Sequence, residues 1–127
     1  HRVDRRQRQM CIRDRMKLVT AIIQPSMLIK VREALVSNEI IGLTVTQVNG
    51  YGRQTGQTKV YKGAEYRVDT LPKIKIECLV DDADLDFVVQ TITSSVHTGN
   101  YGDGKIFVTN IEEIKRIRTG ETGSDAI

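Results

Sequence analysis

The sequence predicts one α+β domain of order β-α-β, long loop, β-α-β, built on a four-stranded antiparallel sheet. Three observations carry that prediction. Residues 17–24 (KLVTAIIQ) are apolar on both parities, as in a strand covered on both faces and therefore central to its sheet. Residues 73–80 (KIKIECLV) alternate at first, with Ile74, Ile76 and Cys78 on one face and Lys73, Lys75 and Glu77 on the other. Leu85, Val88, Val89, Ile92 and Val96 recur at i, i+3, i+4, i+7 and i+11, the spacing of one buried helical stripe.

The remaining elements fall around these. Pro25 suits a first helical position, and Leu28, Val31 and Leu35 give residues 26–38 a single apolar stripe. Asn38 and Gly42 bracket the end of that helix, where a left-handed residue is easily adopted. Residues 42–51 (GLTVTQVNGY) form the second strand, with Leu43, Val45 and Val48 as its apolar members. Asp81, Asp82 and Asp84 precede the second helix, where unpaired main-chain amides favour negative charge. Residues 105–110 (KIFVTN) form the fourth strand, 111–118 a turn or brief strand, and 119–127 a polar tail. Two right-handed β-α-β units place both helices on one sheet face, the ferredoxin-like arrangement. The opposite face then needs cover, and self-association is the simplest source of it.

A chain of 127 residues fits one domain with a modest core. No apolar run approaches the length a bilayer requires. Residues 1–15 (HRVDRRQRQMCIRDR) hold six of the 19 Lys and Arg and two of the 16 Asp and Glu, leaving 13 basic and 14 acidic residues for 16–127. That first segment has neither an apolar period nor the apolar stretch of a secretory signal. It is expected to be a non-native or disordered basic leader rather than a nucleic-acid arm, with the domain proper beginning at Met16. Cys11 and Cys78 lack metal-ligand spacing and His97 has no partner His or Cys nearby, so reduced thiols in a cytoplasm and no zinc are expected.

Residues 50–72 join the second and third strands through four glycines and three tyrosines, Tyr51, Tyr61 and Tyr66, without an amphipathic period. Loops of that length inside small domains are usually functional, and an exposed tyrosine is a handle for a partner or a modifying enzyme. Residues 98–105 (TGNYGDGK) close with Gly102, Asp103, Gly104 and Lys105. Glycines let main-chain N–H groups approach an anion, and the lysine adds a point charge. Gly-Asp-Gly also makes ordinary hairpin turns, and the order is not that of a Walker loop. Lys115, Arg116 and Arg118 form a second basic cluster, read either as phosphate partners or as a solvated charged face.

Tyr61-Lys62-Gly63-Ala64-Glu65-Tyr66 and residues 98–108 (TGNYGDGKIFV) resemble the two signatures of the PII nitrogen-regulatory signal-transduction proteins. The likeness runs from Met16 to Ile127 and includes Arg118-Thr119-Gly120-Glu121. The resemblance implies a homotrimer of ferredoxin-like subunits with ATP or ADP in the clefts between neighbours. It implies that Gly102, Asp103, Gly104 and Lys105, in a phosphate turn at 97–105, cradle the phosphates, with Gly50, Gly52 and Arg53 at the loop base. Arg116 and Arg118 would come from the adjacent subunit, and Thr44 and Leu79 would lie beside the adenine and ribose. Gln54 would help hold Mg2+ together with ATP and 2-oxoglutarate, Gly56 would belong to the site of that acid, and Lys73 would pair with one of its carboxylates. Tyr66 matches the position that uridylyl- or adenylyltransferases modify in many members.

The same resemblance makes the loop at 52–70 the partner-binding element. Its implied partners are an ammonium transporter, the adenylyltransferase that controls glutamine synthetase, a uridylyltransferase or a histidine kinase. Nucleic acid is not among them, and a membrane is met only through a transporter. The residue types agree where they can be checked: Gln54 offers a neutral carbonyl oxygen suited to Mg2+, and Lys73 follows Pro72 at a strand start. Ala64 departs from the serine that cyanobacterial-type members phosphorylate, and Tyr101 is bulkier than the aliphatic residue many members carry. The reading is a regulatory sensor rather than an enzyme. Two alternatives stand beside it. One is a small nucleotide hydrolase with Asp103 or Glu77 as general base. The other is an RNA-recognition-like module, which needs base-stacking aromatics where these strands offer little beyond Phe107.

Overall fold

The structure, a computed structural model, describes residues 16–40, 42–51, 70–100 and 102–127, and the backbone alone of 58–61 and 64–67. Strand β1 (Met16–Ile23) is central, as its two-sided apolar pattern requires: β5 (Leu71–Asp81) pairs with it on one side and β6 (Lys105–Ile111) on the other. Strand β2 (Leu43–Gly50) lies outside β5, so the order is β2-β5-β1-β6 with every neighbouring pair antiparallel. Helix α1 (Leu28–Ser37) connects β1 to β2 across β5, and α2 (Leu85–Val96) connects β5 to β6 across β1. The two crossovers interlock, which is the split arrangement expected.

Both helices cover one face. Val31 and Leu35 of α1 and Val88, Ile92 and Val96 of α2 share a core with Val19, Ala21 and Ile23 of β1 and Ile74, Ile76, Cys78 and Val80 of β5. The alternation of β5 is thus a burial pattern, one parity under the helices and the other on the open face. Burial pushes the Cys78 thiol up to about 11, so it packs as a neutral apolar group. The open face carries Leu18, Thr20 and Ile22, with Phe107 and Glu77 paired opposite Thr20. Thr20 is buried there, yet Phe107 is 46% exposed, an apolar ring with no cover from its own helices. No helix among the described residues is long and apolar enough to cross a membrane.

Three local features differ from the sequence reading. The first turn of the predicted 26–38 helix is a 3-10 turn, Pro25–Met27, and the left-handed residue after α1 is Glu39 (φ 67°) rather than Asn38 or Gly42. The amide of Ile40 bonds Leu35 O at 2.9 Å and that of Glu39 bonds Val36 O at 2.9 Å, while Ile40 packs on the core. This reversal satisfies the last helical carbonyls, and it outweighs the roughly 1 kcal/mol that a left-handed non-glycine residue costs.

The second difference lies in the long loop, which contains a ribbon: β3 (Thr58–Tyr61) pairs antiparallel with β4 (Ala64–Arg67). The ribbon is a separate two-stranded sheet, and residues 50–72 carry no amphipathic period that would mark it. The third concerns the tail, which is docked rather than free. Lys115 bridges Thr122, the amide of Gly123 donates to Ile114 O at 3.1 Å, and Gly123–Ala126 forms a 3-10 turn.

Candidate functional site

Helix α2 ends at Val96, and His97 is already extended, so the chain leaves the helix directly into the glycine turn. Asp103 organises that turn. Its carboxylate accepts hydrogen bonds from the amides of Thr98 (2.8 Å) and Gly99 (2.9 Å) and from the Thr98 hydroxyl, which itself accepts from the Asn100 amide at 3.2 Å. The Thr98 hydroxyl first, then the Thr98 amide, hold the Asp103 carboxyl below the ordinary carboxylate range, with lesser help from Gly99 and from His97, whose Nδ1 lies 3.9 Å away. A carboxylate so engaged shapes the turn, and its lowered pKa makes it a poor general base near neutral pH.

The turn then meets β1 at close range. Gly104 has φ +106°, and a Cβ there would stand 1.8 Å from the main-chain oxygen of Ile22. Only glycine lets the two backbones approach this closely.

Because the folded Asp103 pKa is depressed, its contribution to stability is present above the ordinary value of 3.8 and is lost as pH falls through the lower folded value. Asp103→Asn is therefore expected to lower the urea midpoint near neutral pH. Its deficit against wild type should shrink as pH is taken below about 4. A deficit constant with pH would contradict the ionised role.

The root of the long loop lies against the same turn. Gly50 and Leu71 are register partners, so the two ends of the loop leave the sheet side by side. Lys73, two residues into β5, donates from Nζ to Gly102 O at 3.3 Å. Gly50 makes room for the lysine stem, since a Cβ there would sit 3.1 Å from Lys73 Cγ. Gln24, just past β1, brings its carboxamide nitrogen to 3.3 Å from the point a Gly102 Cβ would occupy. Sequence reasoning did not single out Gln24. One polar residue between an apolar strand and a proline carries no signal of its own. Lys105 is exposed, opposite Ile22 in the register. The corner thus joins Lys73, glycine backbone and a carboxamide, a donor set for anions, with exposed Lys105 following the turn at the start of β6. Two cavities flank it, one of about 340 Å3 lined by His97, Asp103 and Lys105, the other of about 490 Å3 lined by Gln47, Pro72 and Lys73.

The second basic cluster is at the far end of the sheet. Strand β6 starts at the glycine turn and ends at Ile111, opposite Met16, and Arg116 lies beyond it. Seven strand residues span roughly 20 Å, so Arg116 and Lys105 do not meet within one chain. Arg116 lines a cavity of about 710 Å3 together with Gly42, Leu79, Asp81 and Ile127. Arg118 is exposed in the turn that follows, and Thr44 is exposed on β2 opposite Glu77, on the sheet face that also carries Leu79. The sequence-predicted residues therefore separate into a loop-root group (Gly50, Lys73, Gly102, Asp103, Gly104, Lys105) and a far-end group (Thr44, Leu79, Arg116, Arg118). Gly52, Arg53, Gln54 and Gly56, with Tyr101 and the 1–15 segment, lie outside the described residues. The Tyr66 backbone pairs with Lys59 in the ribbon. Among the described residues no group of three or more His, Cys, Asp or Glu is disposed to hold a metal.

Comparison with known proteins identifies the arrangement. Residues 16–121 match the family model described as Nitrogen regulatory protein P-II. The chain belongs to the P-II family. The Azospirillum brasilense nitrogen regulatory protein P-II is 54% identical over 112 residues, covering 88% of this chain and all of the relative. Nitrogen regulatory protein P-II 2 of Methanothermobacter thermautotrophicus is 52% identical over 112 residues, covering 88% of this chain and 97% of the relative. Among solved structures, Arabidopsis thaliana PII bound to citrate superposes with a TM-score of 0.74 at 32% identity, covering 90% of this chain and 94% of the other. P-II proteins are regulatory signal transducers. The antiparallel sheet with two helices on one face is thus a P-II ferredoxin-like fold.

Proposed function

We propose that this P-II protein is a cytoplasmic nitrogen-regulatory sensor. Three copies bind ATP or ADP, with Mg2+ and 2-oxoglutarate, in the clefts between them, and the ligands set the shape of the loop at 52–70 that partners read. The observation that carries this reading is the Lys73–Gly102 bond, which ties the root of the loop to the glycine turn. An anion settling on that turn competes for Lys73, so ligand chemistry is felt where the loop begins.

The division of basic residues between the two ends of the sheet supports a shared site. A nucleotide triphosphate of charge near −4 calls for several cations, and a single chain keeps Lys73 and Lys105 away from Arg116 and Arg118. Glycine-turn amides, Lys105 and Arg53 of one copy would receive the phosphates, Arg116 and Arg118 of its neighbour would complete the charge, and Thr44 and Leu79 would flank the adenine and ribose. Half-exposed Phe107 and the uncovered sheet face are the apolar surface such an assembly would bury. Gln54 would present a neutral carbonyl oxygen to Mg2+ while phosphate and 2-oxoglutarate oxygens complete its shell. Lys73 would pair with a carboxylate of 2-oxoglutarate beside Gly56. A relative that holds citrate, a small polycarboxylate, supports a carboxylate ligand.

Moving a loop from about 1:99 to about 99:1 requires roughly 5.5 kcal/mol of differential affinity. A few charge-assisted contacts at about 1.5–3 kcal/mol each suffice. An ammonium transporter, the adenylyltransferase of glutamine synthetase, a uridylyltransferase or a histidine kinase would read the result, with Tyr66 in the ribbon as the modification site. A partner preferring the ADP shape must weaken 2-oxoglutarate binding by the same factor. The test is calorimetric titration of 2-oxoglutarate with and without MgATP. Binding is expected only when MgATP is present. Equal binding in its absence, or none in either case, would refute the shared site.

A further inference from the structure

Arg116 is the cation on which the nucleotide reading leans at the far end of the sheet, and its guanidinium is already engaged. Nη2 donates to the main-chain oxygen of Ile127 at 2.8 Å, and Nη1 lies 3.7 Å from Glu121 Oε1. The segment supplying that oxygen is anchored. Gly123 is buried and bonded to Ile114, and the Ser124 hydroxyl donates to Asp81 Oδ1 at 2.6 Å. Ser124, Ala126 and Ile127 thereby wall the cavity of about 710 Å3 that also holds Leu79. The acidic side chains around that cavity are Glu39, Asp81 and Asp84. Such surroundings favour a guanidinium turned inward and disfavour a phosphate beside it.

We infer that residues 123–127 are a latch that keeps Arg116 from the cleft, and that an adenine nucleotide binds only as the latch lets go. The inference rests on the nucleotide reading above and adds a regulation to it. A guanidinium directs its donors in one planar fork. While that fork faces the Ile127 oxygen of its own chain, it is unavailable to phosphate on the glycine turn of another copy. The apparent affinity is then lowered by the fraction of chains with the latch open. The weak point is the Ser124–Asp81 bond, which pins the segment to the end of β5 and touches no residue of the proposed nucleotide contacts.

The experiment is ADP titration by calorimetry on the full chain and on Ser124 variants. Ser124→Ala removes the pin and is expected to tighten ADP binding about threefold; Ser124→Asp, which sets a second carboxylate against Asp81, is expected to tighten it about tenfold. Both gains should vanish when Arg116→Ala is added, because releasing the latch then frees nothing. In the unsubstituted protein, ADP should accelerate hydrogen exchange at the amides of Gly123 and Ile127. Unaltered or weaker binding in both Ser124 variants, a gain that survives Arg116→Ala, or slowed exchange at 123–127 would each overturn the latch while leaving the nucleotide site standing. Absence of ADP binding in every chain would instead overturn the nucleotide reading, and the latch with it.

Discussion

Gly104→Ala is expected to be among the most damaging single-methyl changes in the chain, destabilising it by about 3–5 kcal/mol in urea unfolding. Two effects add. At φ +106° a side chain is strained wherever it finds room, and here there is none, because the new Cβ would stand 1.8 Å from the oxygen of Ile22. A main-chain oxygen in a paired central strand cannot rotate aside as a side chain would, so either β1 or the start of β6 must shift. Gly42→Ala is the matched control. A methyl group there would meet nothing within 4 Å and its φ is outside the left-handed region, so a change within about 0.5 kcal/mol is expected at the same protein concentration. Equal midpoints for the two variants would mean that the close approach of turn and strand is not structural.

Lys105→Ala and Arg116→Ala are each expected to weaken ATP binding at least tenfold by calorimetry, since each removes a charge-assisted contact of about 1.5–3 kcal/mol. The sharper expectation concerns mixtures. Lys105 opens β6 and Arg116 lies beyond its far end in one chain, so a shared site draws them from different copies. Co-assembling the two variants should then restore a fraction of clefts that contain both natural side chains. Recovered tight binding in the mixture, absent from either variant alone, is the expected result. No recovery despite demonstrated subunit exchange would exclude a site divided between copies, and undiminished affinity in the single variants would refute the phosphate assignment.

Much of the fold was legible because its signals are local and repeated. Ile74, Ile76 and Cys78 alternate because one sheet face is covered, and Val88, Ile92 and Val96 recur because α2 buries one stripe. Strand β1 was recognisable as central from its two apolar parities, and the structure gives it two partners. The docked tail was hidden for the opposite reason. Its attachment depends on one hydroxyl meeting Asp81 and one guanidinium meeting Ile127, contacts between residues that no short window contains. The ribbon of β3 and β4 lies in a stretch of sequence with no amphipathic period to announce it, and Glu39 adopts a left-handed turn that its own preference would not select.

For the site, the division is similar. Composition and motif order identified the glycine turn, the loop and the two basic clusters, because glycine, lysine and arginine announce their chemistry wherever they stand. Sequence also determined the two helices, the four strands of the main sheet and the faces they bury, since periodicity is a property of the chain itself. Which residues meet was decided by tertiary structure alone. Antiparallel register and the interlocked crossovers carry Gln24, Lys73 and Gly102 to one corner, though they are far apart along the chain. The same strands send Arg116 to the other end of the sheet, although it follows Lys105 closely in sequence, because an extended strand converts a few residues into tens of ångströms.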